Sequence, residues 1–116
     1  MHELPVTKSI LEIVLRHARA NGVEQVRTID LSIGALSDLE AEWIQRYFDH
    51  LSRGTVAQGA ILRVSRSPLV FLCDGCALEF SATREELDLI HCPGCNSTEA
   101  SVVSGTGYTV ESMEAE

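Results

Sequence analysis

The chain has 116 residues, enough for one packed domain or for a small domain carrying a metal-stapled appendage. Its 45% hydrophobic content argues against disorder, and no run is long and apolar enough to span a membrane. Nine Lys and Arg stand against 17 Asp and Glu, a formal net charge of −8. Phosphate binding needs a basic surface, so this balance excludes nucleic acid as a partner and points to a soluble, cytoplasmic protein.

In chain order, Met1-His2-Glu3 is followed almost at once by a predicted helix, with Pro5 in its first turn. Val6, Ile10, Val14 and Ala18 recur every four residues, Leu11 and Leu15 widen the apolar stripe, and Asn21-Gly22 provides a stop. Residues 23–35 read as a strand, because Ile29, Leu31 and Ile33 alternate with Asp30, Ser32 and Gly34. Ser37 and Glu40 have the spacing of a capping box opening a second helix. Its row Leu39, Trp43, Tyr47 and Leu51, flanked by Ile44 and Phe48, reads as core and not as a ligand box. Gly54 ends that pattern, and Ala60, Leu62 and Val64 alternate in a second strand before Pro68. Ala100 to Val103 reads as a short strand, Ser104-Gly105-Thr106-Gly107 as a flexible joint, and Tyr108 to Met113 as a final strand returning to the main sheet.

Between Pro68 and Gly107 lie Cys73-Asp74-Gly75-Cys76 and Cys92-Pro93-Gly94-Cys95, separated by fifteen residues. Each pair lets one tight turn aim two sulfurs at one ion, and two such turns complete a tetrahedron of the kind structural zinc requires. Gly75 and Gly94 are expected at positive φ, with backbone N–H groups aimed at the sulfurs. Disulfides would need an oxidising compartment, and the N-terminus has no signal-like apolar run. A thioredoxin-type site uses one such pair, not two. Four thiolates also suit an iron–sulfur cluster, although the spacing fits zinc better. His91, next to Cys92, reads as a solvated loop residue, with a role beside the metal as the alternative.

The other end of the chain has a metal chemistry of its own. A free Met1 amine, the His2 backbone nitrogen and the His2 imidazole form fused chelate rings, and Glu3 supplies a fourth donor through its amide nitrogen or carboxylate. Deprotonated amide nitrogens favour square-planar Ni(II) or Cu(II). On chemistry alone, an exposed end residue is the commoner role for a histidine at position two. No nucleophile–base pair stands out, and the Gly-rich 104–107 stretch lacks a P-loop lysine pattern.

Taken together, Met1-His2-Glu3, Ser9-Ile10-Leu11-Glu12, Ile33-Gly34-Ala35-Leu36-Ser37, Phe48-Asp49, residues 53–59, both cysteine turns and Ser112-Met113-Glu114 resemble the HypA/HybF family of hydrogenase-maturation nickel proteins. The resemblance covers essentially the whole chain. It implies an α+β fold: two helices on a small mixed sheet form a nickel-binding domain (1–68 plus 107–116), with an inserted zinc-ribbon-like domain (69–106). It implies Ni2+ as cargo on Met1, His2 and Glu3, structural Zn2+ on Cys73, Cys76, Cys92 and Cys95, and, more weakly, Glu40 near the nickel. Implied partners are a nickel-handling GTPase, the large subunit of nickel–iron hydrogenase and, in some members, urease accessory proteins. Some members carry a histidine beside each cysteine turn; here Leu72 precedes the first turn, so only His91 matches. The expected function is that of a cytoplasmic nickel metallochaperone, not an enzyme. A zinc-ribbon adaptor without nickel transfer is the competing expectation.

Overall fold

A computed structural model describes residues 3–116. Helix α1 (Glu3–Ala20) precedes strand β1 (Val26–Gly34), helix α2 (Ala41–Leu51), β2 (Ile61–Ser67) and β3 (Val70–Cys73). Then come β4 (Glu79–Ser81), a 3-10 turn (Arg84–Leu89), β5 (Ala100–Ser104) and β6 (Tyr108–Ala115). One sheet has the order β2-β1-β6 and the other β4-β3-β5, so the final strand does return to the first sheet. The architecture is the α+β arrangement of two helices with small sheets that the sequence implies. By compactness the chain divides into Met1–Ser32, Asp38–Ser65 and Thr109–Glu116 as one unit, and Ile33–Ser37 with Arg66–Tyr108 as the other.

In the helical unit, α1 packs against α2. Ile10, Val14 and Ala18 of α1, Val26, Ile29 and Leu31 of β1, and Ile44 and Phe48 of α2 are buried. The apolar alternation of β1 therefore turns one face inward, as its period-two pattern requires. Its polar face carries Asp30, which accepts from Arg63 Nε at 2.7 Å, Arg63 Nη2 at 3.0 Å and the Ser112 hydroxyl at 2.7 Å. Asn21-Gly22 ends α1 as expected: Gly22 has φ +63°, and Val23 N–H returns to the Ala18 carbonyl at 2.9 Å.

Four expectations need correction. First, the α1 stripe continues toward the N-terminus through Thr7 and Glu3, which are buried although polar. The Thr7 hydroxyl donates to the Glu3 carbonyl at 2.5 Å, so its polarity is satisfied within the helix. Second, no capping box forms at Ser37. The Ser37 N–H still bonds the Gly34 carbonyl at 3.0 Å in the turn after β1, α2 starts at Ala41, and Glu40 makes no side-chain cap. A capping box forms instead at Thr83 and Glu86. Third, Trp43 is not core. It is 41% exposed, whereas Ile44 and Phe48 are fully buried.

The fourth concerns residues 104–107, which form a close backbone crossing and not a flexible joint. Gly34 N–H bonds the Gly107 carbonyl at 2.8 Å, Leu36 N–H the Gly105 carbonyl at 2.8 Å, and Ala35 N–H the Ser67 carbonyl at 2.9 Å. A Cβ on Gly34 would overlap the Gly105 carbonyl and sit 2.5 Å from Thr106 N. One on Gly105 would sit 2.6 Å from Leu69 Cα. Backbone cannot yield as a flexible side-chain end would, so both glycines are sterically required.

Gly34→Ala is therefore expected to cost roughly 3 kcal/mol or more. Gly54→Ala, at φ +78° in open space, should cost only the left-handed penalty of about 1 kcal/mol. Chemical denaturation of the two variants distinguishes the cases; equal losses would contradict the close crossing.

Candidate metal centre

The four cysteines come together because the two Cys-x-x-Cys segments fold into nearly the same turn. In the first, Cys73 N–H bonds the Leu78 carbonyl at 2.9 Å and Ala77 N–H bonds the Cys73 carbonyl at 3.0 Å. In the second, Cys92 N–H bonds the Ser97 carbonyl at 2.8 Å and Asn96 N–H bonds the Cys92 carbonyl at 2.8 Å. The left-handed residue in each is Ala77 or Asn96, both at φ 64°. Gly75 and Gly94 are not at positive φ, which corrects the expectation from sequence. Their value is slimness: a Cβ on Gly94 would stand 3.1 Å from Leu78 Cδ2 and 3.6 Å from Cys92 Sγ. Without one, the Gly94 N–H reaches Cys92 Sγ at 3.3 Å, and in the other turn the Cys76 N–H reaches Cys73 Sγ at 3.5 Å.

β3 carries Cys73 at its end and lies between β4 and β5, antiparallel to both. Phe71 stacks on Phe80 across β3 and β4, with centroids 5.7 Å apart. This pair and Leu69 supply most of the apolar support for a small sheet.

All four sulfurs lie within 4.8 Å of one another. Cys73 Sγ is 3.5 Å from Cys95 Sγ, and Cys76 Sγ is 3.5 Å from Cys92 Sγ. Metal–sulfur bonds of about 2.3 Å in a tetrahedron place sulfurs roughly 3.8 Å apart, so the cluster fits one four-coordinate ion. A multi-iron cluster would need its sulfurs spread around several metal atoms. None of the four cysteines is in a disulfide. Cys73 and Cys92 are buried, while Cys76 and Cys95 are exposed.

Acidity follows the same division. The Cys76 backbone N–H lowers the Cys73 thiol below its ordinary value, outweighing burial. The Cys95 backbone N–H, helped by Gly94, brings Cys92 down to about 6. Despite the Leu78 backbone N–H, the sulfurs of Cys92 and Cys73 push Cys76 up to about 12. Despite the Ser97 N–H, the Cys73 sulfur likewise raises Cys95. Without an ion, the four groups share protons because four adjacent thiolates repel; a cation removes that penalty.

The other expected metal residues are placed as follows. Glu3 opens α1 and is buried, and its Oε2 accepts the Glu40 N–H at 3.0 Å. Met1 and His2 lie outside the described residues. His91 is exposed, with Nδ1 3.1 Å from the Leu89 carbonyl, and the four-sulfur group does not include it. Sequence reading missed Ala77, Leu78 and Asn96, which shape the turns. The available signal was positional, since Ala77 and Asn96 both stand four residues after the first cysteine of their turn.

Loading the metal-free protein near pH 7 should release about two protons or more, chiefly from Cys76 and Cys95. Binding should weaken as pH falls, more steeply once Cys92 protonates near 6. Calorimetry in buffers of different ionisation enthalpy counts these protons; a count near zero would contradict the shared-proton state.

Three comparisons bear on the chain. A family model described as "Hydrogenase/urease nickel incorporation, metallochaperone, hypA" matches residues 1–115. "Hydrogenase maturation factor HypA" of Chlorobium limicola is 34% identical over 116 residues, covering 100% of this chain and 97% of its own length. The protein of that name from Aquifex aeolicus is 34% identical, with 100% and 98% covered. Among solved structures, the Ni metallochaperone HypA from Helicobacter pylori aligns with a TM-score of 0.75 at 23% identity, covering 99% of this chain and 97% of its own. A second HypA solution structure aligns at 0.80 and 23%, with 100% and 97% covered. These two share the fold.

Proposed function

The chain belongs to the HypA family of hydrogenase and urease nickel-incorporation metallochaperones, and we propose that it binds Ni(II) through Met1, His2 and Glu3 and delivers it during maturation of nickel–iron hydrogenase. Cys73, Cys76, Cys92 and Cys95 hold a structural zinc ion. The nickel-binding part comprises residues 1–68 with 107–116, and the zinc-binding part residues 69–106.

The observation that carries the nickel assignment is the position of Glu3 as the first residue of α1. The first N–H groups of a helix have no intrahelical acceptor. The Glu3 amide can therefore lose its proton to a metal without breaking a hydrogen bond of the helix, whereas an amide one turn later could not. A chain starting at Met1 adds an amine, a second amide and an imidazole, four nitrogens that favour square-planar nickel. The sulfur site offers the opposite properties. Four thiolates in a tetrahedron leave no open position, which suits zinc as architecture and not as cargo.

Delivery then requires a partner that supplies replacement ligands for the nickel. The nickel-handling GTPase and the hydrogenase large subunit fill that role, with urease accessory proteins as a further destination. The work is metal transfer, not catalysis, and it takes place in the cytoplasm. Among the described residues no helix is long and apolar enough to cross a membrane.

For protein beginning at Met1, His2→Ala or a residue added before Met1 should abolish tight nickel binding while leaving about one zinc per chain. Nickel titration with parallel metal analysis tests this, and retained nickel affinity would place the site elsewhere. Cys73→Ser should lose zinc and unfold the β3–β5 region, because ligand binding energy is folding energy in so small a module. The helical signal in circular dichroism should largely persist; its complete loss would refute the independence of the two parts.

A further inference from the structure

The sheet of the helical unit has two edges, β2 and β6, and they differ in how they are protected. On β2, the Gln45 side chain closes the start of the edge: its Oε1 accepts the Leu62 N–H at 2.8 Å and its Nε2 donates to the Ala60 carbonyl at 3.3 Å. β2 also carries Arg63 and Arg66 and runs on to Pro68, features that discourage a further strand. β6, at the opposite edge, is eight residues long and contains neither proline nor a basic residue. Every second residue of an edge strand turns its N–H and C=O away from the ladder, where another strand can meet them.

Beside this edge, a groove of about 230 Å³ lies between β6 and α1, lined by Val14, His17, Val110, Glu111, Ser112 and Met113. Ser112 and Glu114 both reach the Asp30–Arg63 cluster on the polar face of the sheet. Side chains alternate along a strand, so Glu111 and Met113 point to the opposite face, toward α1. Val14 is fully buried, and Val110 and Met113 are half-buried, which gives the groove an apolar floor. An apolar cavity of about 150 Å³ holds a benzene-sized group, so this groove has room for an aliphatic side chain. Met113 suits such a place, because an unbranched thioether adapts to what it meets.

Charge selects the occupant. Residues 108–116 include Glu111, Glu114 and Glu116 and no Lys or Arg. Glu114 pairs with Arg63 and Glu116 with Arg27, whereas Glu111 is exposed and lines the groove. Pairing with β6 of a second copy about a two-fold axis would bring the Glu111 carboxylates of both strands close together, and like charges across a ladder are destabilising. The net charge of −8 on each copy adds to that repulsion. A basic segment of another protein meets the reverse situation, attraction along the whole edge.

We propose that the open edge of β6 receives an extended segment of a partner protein as a fourth strand, with one apolar side chain seated over Val14, Val110 and Met113 and a Lys or Arg against Glu111. Main-chain hydrogen bonds supply the affinity of strand addition, and alternate side chains supply its selectivity. Because Glu111 and Met113 stand two residues apart on one face, the partner's basic and apolar residues are also two apart. None of these groups is a proposed nickel or zinc ligand, so this docking edge stands or falls independently of both metal assignments.

The full-length protein, nitrogen-labelled for NMR and prepared with zinc present, is titrated with a capped eight-residue peptide in which threonine alternates with lysine and leucine. A second peptide has glutamate in place of lysine, and a third is N-methylated along its backbone and cannot donate to a ladder. The lysine peptide should shift the amides of residues 110–113 saturably, with a Kd of about 1 mM or tighter, and slow hydrogen exchange along β6. The glutamate peptide should bind at least about threefold more weakly, and the N-methylated one should give no saturable shift. Glu111→Lys should reverse the order of the lysine and glutamate peptides, which loss of structure alone would not do, and Glu111→Gln should weaken the lysine peptide. No saturation up to roughly 10 mM lysine peptide overturns the proposal. So do shifts centred away from residues 110–113, equal binding of either control peptide, or an unchanged order in Glu111→Lys. A dimer in sedimentation runs that dissociates on adding the lysine peptide also overturns it, since a second copy would then be the occupant.

Discussion

Where Gly34 meets Gly105, two backbones touch with nothing between them but hydrogen. The residues around this crossing are the end of β1, the end of β2 with the Pro68 step, and the start of β6. Three backbone hydrogen bonds join them, from Gly34 to Gly107, from Leu36 to Gly105 and from Ala35 to Ser67. The Ser104 hydroxyl adds a fourth tie, donating to the Pro68 carbonyl at 3.1 Å. The cysteine-bearing segment thus leaves and re-enters the chain at one fixed place. Its own apolar content is meagre, essentially Leu69, Phe71 and the two buried cysteines. A module with so little core depends on its fixed ends, and a metal on its four cysteines would add to its order.

Much of this was legible because its causes are local. The period-four stripe of α1, the alternation of β1 and β6, and the paired cysteine spacing each follow from a few neighbouring residues. What escaped was set by residues distant in sequence. Ser37 and Glu40 carry the letters of a capping box, but Ser37 is still held in the turn after β1, and the Glu40 N–H is met by a carboxylate 37 positions away. Thr83 and Glu86 carry the same spacing on a charged turn and do form the box. The same spacing gave different outcomes because the Glu40 N–H is taken by Glu3 whereas the Thr83 turn closes on itself.

The α2 helix shows a second kind of failure. Its aromatic row looked like a core face because large apolar residues usually seek burial. In an 11-residue helix, however, Ile44 and Phe48 suffice for the inward stripe, which leaves Trp43 and Tyr47 at its border. Periodicity identified the helix but could not centre its buried arc. The reading of Gly75 and Gly94 failed for a related reason. Glycine was expected for its torsional freedom, whereas the turns use it to let an N–H come near sulfur and leave positive φ to Ala77 and Asn96.

The two cysteine turns each contribute one buried residue, Cys73 or Cys92, and one exposed residue, Cys76 or Cys95. A metal held there has an inner and an outer hemisphere. Acid, chelators and oxidants all arrive from the outer side, so the first bonds to yield are one from each turn and not both from the same turn. The ion would pass through a state in which it still bridges the two halves through its inner ligands, keeping the loops aligned for recapture. Departure would thereby be stepwise and reversible in its early stage.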